Sequence, residues 1–138
     1  MPVDEDFLRD AYRALDRGEW HRSAEFMHPR ISWHFVEGAA PDAPDTLRGP
    51  DEIVDFWRTF FDAWDEWEMT PQQFVESTDG RIMVSVHFTA KGSGSGVPLE
   101  LEFCQLITVI DARIYRVDQY LSRESAEQDC VPSESPGR

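Results

Sequence analysis

The sequence predicts an α+β domain, in which N-terminal helices pack on a curved, largely antiparallel sheet. Three observations predict it. The first third of the chain carries helical spacing of apolar residues. The last half switches to period two. Between them lies a helix with a broad aromatic face. At 138 residues the chain suits one domain, expected over 1–130, with a disordered polar tail at 131–138.

The first helix is expected over 5–17, with Phe7, Leu8, Ala11, Ala14 and Leu15 on one side and Tyr12 at the edge. Gly18 stops it. A second short helix, 19–27, turns Trp20, Ala24 and Met27 inward, and His28-Pro29 ends it because a residue before proline avoids the α region. Ile31-Ser32-Trp33-His34-Phe35 alternates as a strand with Ile31, Trp33 and Phe35 on one face. Residues 37–48 are rich in Gly, Ala, Pro and Asp and read as a loop.

The strongest element is expected over 50–67. Pro50 suits a first helical turn, and Asp51 and Glu52 suit the positive end of the helix dipole. Ile53, Val54, Phe56, Trp57, Phe60, Phe61, Trp64 and Trp67 share an arc of roughly 160°. A face that wide fits a sheet better than one other helix. After Pro71, strands are expected at 72–78, 81–90, 97–110 and 114–121, joined by Asp79-Gly80, by Gly92-Ser93-Gly94-Ser95-Gly96 and by Asp111-Ala112-Arg113. Such short connections make an antiparallel meander. A last helical turn, 122–129, has Ser122 as its N-cap.

Composition narrows the function classes. The formal net charge of −14 argues against nucleic acid and anionic membrane as partners. No run approaches the roughly 18 apolar residues of a membrane span, and the acidic N-terminus is not expected to act as a signal peptide. Cys104 and Cys130 read as a buried thiol and a tail thiol in a reducing cytoplasm. The four histidines lack ligand spacing, so neither a metal site nor a cofactor is expected.

Alternation also locates polar groups on the buried sheet face. Gln105 interrupts Leu99, Leu101, Phe103, Ile107 and Val109. Gln119 interrupts Tyr115, Val117 and Leu121. With a three-residue turn at 111–113, the two glutamines fall opposite one another, placed to orient a ligand or to bond each other.

The order of these segments resembles the NTF2-like superfamily, most closely its SnoaL-like branch. The likeness rests on Ala14-Leu15-Asp16-Arg17-Gly18-Glu19-Trp20, on His28-Pro29 before a Trp-containing strand, and on Arg48-Gly49-Pro50-Asp51-Glu52-Ile53 opening the aromatic helix. It rests too on the Gly/Ser run at 92–96 and on Ala112-Arg113-Ile114 leading into Asp118-Gln119-Tyr120-Leu121. The resemblance implies a cone-shaped roll, a cavity between sheet and helices, and commonly a homodimer. The superfamily holds cyclases, isomerases, epoxide hydrolases and non-enzymatic binders, so fold alone does not assign function.

Compared with ketosteroid isomerases, the ketone-polarising acid falls at Gln105, the tyrosine at Ala11 and the base at Phe35. The last-strand acid of the epoxide hydrolases falls at Gln119. Glutamine does not titrate, so both proton-transfer sets are missing. The expected function is an apolar pocket for a small, largely hydrophobic metabolite. It is lined by Gln105, Gln119, Tyr12, Trp33, Phe35, Trp57 and Phe61. The alternative is a cyclase, isomerase or hydro-lyase using His34 or His87 as base. Pattern puts His87 on the outer sheet face, whereas the epoxide hydrolase comparison puts it near a pocket arginine.

Overall fold

The computed structural model describes residues 5–36, 45–92 and 98–129. Helix α1 (Glu5–Asp16) and the short α2 (Trp20–Glu25) lead into β1 (Met27–Phe35). Next come β2 (Thr46–Arg48), α3 (Gly49–Asp62), the strands β3 (Glu66–Glu76), β4 (Ile82–Lys91), β5 (Pro98–Ile110) and β6 (Arg113–Tyr120), and a terminal α4 (Arg123–Asp129). The six strands form one sheet in the order β2-β1-β6-β5-β4-β3. From β3 to β6 it is an antiparallel meander, and β1 joins β6 in parallel. The sheet is therefore mixed.

Helix α1 lies over β3, while α3 lies over β1 and β2, which leaves the middle of the sheet to face the gap between them. Ser122 caps α4, its hydroxyl accepting from Ser125 N at 3.1 Å. The core between helices and sheet is aromatic. Phe61 is 1% exposed and stacks on Trp67 at 4.9 Å and on Phe88 at 5.9 Å.

Several boundaries differ from expectation. The aromatic helix ends at Asp62, so Trp64 sits in the turn and Trp67 on β3. Pro71, read as a break, lies inside β3. It is tolerated because β3 is an edge strand and its register shifts between Pro71 and Gln73. Helix α2 stops at Glu25, and its buried residue is Ser23 rather than Ala24. Residues 46–48, expected as loop, form β2 against β1. The tail at 131–138, the loop at 37–44, Cys130 and most of the Gly/Ser connection lie outside the described residues.

The hairpin between β5 and β6 is closed by two residues, not three. Asp111 and Ala112 both have positive φ, 55° and 63°, as a tight hairpin turn requires. A bulge between Thr108 and Val109 then shifts the register, so that Gln105 still pairs with Gln119. Leu121, expected inward, lies past the end of β6 and is 62% exposed.

A second, smaller core lies on the outer face, where Met83, Cys104, Leu106 and Tyr120 pack on Ala126 of α4. It explains why β5 is buried at even as well as odd positions around Cys104.

Candidate functional site

A cavity of about 40 Å³ lies between α1, α2 and the strands β1, β5 and β6. A buried water needs on the order of 10–15 Å³ of such space, so the cavity has room for a few waters or a ligand fragment. Its wall is mostly apolar, with Leu15, Phe26, Ile107, Ile114 and Val117 among the residues that face it. Three neutral polar side chains also line it, Tyr12, Ser23 and Gln105, together with the indole of Trp33.

The strand register dictates which groups meet. Paired residues share a sheet face, so Gln105 opposite Gln119, and Gln119 beside Phe35, all point toward the helices. Trp33, beside Val117, does the same from β1. Trp33, Gln119, Gln105 and Tyr12 are linked. Trp33 Nε1 donates to Gln119 Oε1 at 3.1 Å, Gln105 Nε2 donates to the same oxygen at 2.9 Å, and the Tyr12 hydroxyl donates to Gln105 Oε1 at 2.5 Å. Tyr12, expected at a helix edge, is 6% exposed. Burial, and then the nearby Cys104 thiol, push its phenol well above the ordinary tyrosine range, so it stays protonated.

The other expected site residues divide. Tyr12, Trp33 and Gln105 line the cavity, and Gln119 stands directly behind them in the chain of hydrogen bonds. Phe35, Trp57 and Phe61 are core residues behind the wall. Phe35 packs on Phe56 at 5.2 Å and Trp57 meets Trp33 edge-on at 5.5 Å. Ser23 escaped the sequence reading, although its place three residues after Trp20 on the same short helix was a usable signal. Its hydroxyl is buried and has no hydrogen-bond partner among the described residues.

Neither histidine reaches the cavity. His87 pairs in register with Glu102, on the face opposite Val84, Val86 and Phe88, and its Nε2 meets Glu100 Oε2 at 2.6 Å. His34 pairs with Asp118 on the same outer face. Its ring contacts Ser32 Oγ at 2.9 Å and Thr46 Oγ1 at 3.4 Å. Partial burial, and then the Arg116 charge, hold it below the ordinary histidine value. His87 therefore faces outward, as alternation predicts, and not into the pocket as the epoxide hydrolase comparison implies, because alternation along a paired strand fixes the face. Among the described residues no cluster of His, Cys, Asp or Glu could hold a metal ion, and no helix is long and apolar enough to cross a membrane.

Solved structures share this architecture. TerC, co-crystallised with polyporic acid, superposes with a TM-score of 0.71 at 19% identity, covering 89% of this chain and 94% of that one. RV0760c from Mycobacterium tuberculosis, in complex with estradiol-17beta-hemisuccinate, gives 0.72 at 14% identity over 90% of this chain and 97% of that one. An NTF2-like protein of unknown function from Burkholderia pseudomallei gives 0.73 at 21%, covering 93% and 97%. At these identities the likeness establishes the fold. No curated protein matches the sequence. The SnoaL-like domain family matches residues 8–117, which is most of the chain, and the protein belongs to that family.

Proposed function

We propose that the protein binds a small, largely hydrophobic metabolite in the cavity beneath α1 and α2 and performs no proton transfer on it. One observation carries the reading. The polar groups at the cavity are neutral amides, a hydroxyl, an indole and a phenol that keeps its proton, while both candidate bases lie on the far face of the sheet. The ligand-bound relatives of the same fold support a small-molecule role. At about 40 Å³ the cavity is smaller than a whole metabolite requires, so binding includes outward movement of its helical wall. The cyclase, isomerase or hydro-lyase alternative loses its base with the two histidines.

A screen of small apolar molecules by ¹H–¹⁵N chemical-shift perturbation tests this. Ala11→Leu, which fills the cavity from α1, is expected to abolish binding, whereas His34→Ala and His87→Ala leave it intact. Loss of binding or turnover in either histidine variant, with Ala11→Leu unaffected, would overturn the reading. A cytoplasmic homodimer belongs to the same proposal, and sedimentation at twice the chain mass of 16.0 kDa is its expected signature.

A further inference from the structure

The hydrogen-bond chain at the cavity has only one consistent direction, and Trp33 sets it. An indole N–H can only donate, so Gln119 must turn its carbonyl oxygen toward Trp33. The same oxygen meets Gln105, which must therefore present its NH₂ group. Gln105 then has its oxygen left for Tyr12, and a carbonyl oxygen can only accept. The single proton of the Tyr12 hydroxyl is thereby committed to Gln105. Flipping Gln119 would set N–H groups against each other at Trp33 and at Gln105, and flipping Gln105 alone would set two carbonyl oxygens against each other. What Tyr12 Oη can offer a guest in the cavity is a lone pair.

The second observation is Ser23. The residue is 3% exposed and lines the same cavity from α2, and its buried hydroxyl has no hydrogen-bond partner among the described residues. A buried hydroxyl left unsatisfied costs free energy, so a guest that bonds it is favoured. Ser23 can donate or accept, whereas Tyr12 can only accept. Among the described residues no cationic side chain lines the cavity, which disfavours a carboxylate.

We infer that the cavity selects a neutral guest bearing a hydroxyl group, an alcohol or phenol, over the ketone of the same skeleton. The hydroxyl proton goes to Tyr12 Oη while its oxygen faces Ser23. A ketone satisfies Ser23 alone and sets its oxygen against the Tyr12 lone pair. The inference rests on the proposed ligand-site reading of the cavity, and it names the ligand chemistry that reading leaves open.

Cyclopentanol and cyclopentanone make a matched pair for the test, titrated by chemical-shift perturbation into the wild type, Ser23→Ala and Trp33→Phe. One additional neutral hydrogen bond corresponds to roughly fivefold tighter binding of the alcohol by the wild type. Ser23→Ala weakens both probes and keeps the preference, because Tyr12 is its source. Trp33→Phe removes the group that fixes the direction of the chain, so the preference falls to about unity or reverses, and the ratio cancels the change in cavity shape. Equal binding, a ketone preference in the wild type, or a preference that survives Trp33→Phe overturns the inference and leaves the ligand site standing. Perturbation by neither probe at the lining residues overturns both.

Discussion

Trp33 and Gln119 lie on neighbouring parallel strands, and the indole N–H of one meets the side-chain oxygen of the other at 3.1 Å. This contact anchors a chain of neutral hydrogen bonds that ends at Tyr12 on α1, and so ties the helix layer to the sheet across the cavity. At its centre two amides, Gln105 and Gln119, satisfy one another.

The link between Tyr12 and Gln105 is expected to be strongly coupled. Tyr12→Phe strands a buried carbonyl oxygen and Gln105→Leu strands a buried hydroxyl, each costing about 1–3 kcal/mol. The double variant is expected to cost less than the sum of the two. Urea unfolding of all four proteins checks this, and strict additivity would show that the 2.5 Å contact does not form in solution.

Phe61 is the centre of the aromatic core, in ring contact with Trp20, Trp57, Phe60, Trp67 and Phe88. Phe61→Ala is expected to lose about 3–5 kcal/mol of stability. A loss below about 1 kcal/mol in chemical denaturation would contradict that packing.

Asp16 closes α1 onto β3, its carboxylate accepting from Met69 N at 2.6 Å while its backbone oxygen accepts from Trp67 Nε1 at 2.7 Å. Burial raises its pKa despite that hydrogen bond. Folded Asp16 thus holds its proton more tightly than unfolded Asp16, and ionising it costs stability. The cost is absent below the ordinary aspartate value of about 4 and complete above the raised one. Asp16→Asn keeps an acceptor for Met69 and removes the charge. It is expected to match or exceed wild-type stability at pH 7 and to lose this part of the pH dependence. A large destabilisation at pH 7, with the wild-type pH profile retained, would show that the charge itself holds the clasp.

Helix α4 shields the outer core. Tyr120 donates to Asp129 Oδ2 at 2.5 Å, and burial followed by that carboxylate raises its phenol above the ordinary range. Cys104 is fully buried beneath this helix. Ala126→Arg is expected to displace α4 and expose the Cys104 thiol to alkylation, with modification mapped by peptide mass spectrometry. If Cys104 stays unmodified while α4 is released, something other than the helix protects it.

Much of this was legible in the sequence because alternation and aromatic spacing are local. Opposing glutamines, an outward His87 under the pattern argument and a Ser122 cap all follow from them. The missed features depend on partners far along the chain. Pro71 reads as a break unless β3 is known to be an edge strand with a bulge. The register of Gln105 survives a shorter turn only because a bulge compensates it. Ser23 looks like one more polar helix residue until β6 and α1 close over it.

A crystal structure with cyclopentanol bound decides whether the cavity is the ligand site. The ring is expected between Ile107 and Ile114, with its hydroxyl about 3 Å from Tyr12 Oη and facing Ser23. Density against His34 on the outer face, or an empty cavity at saturating ligand, would contradict it.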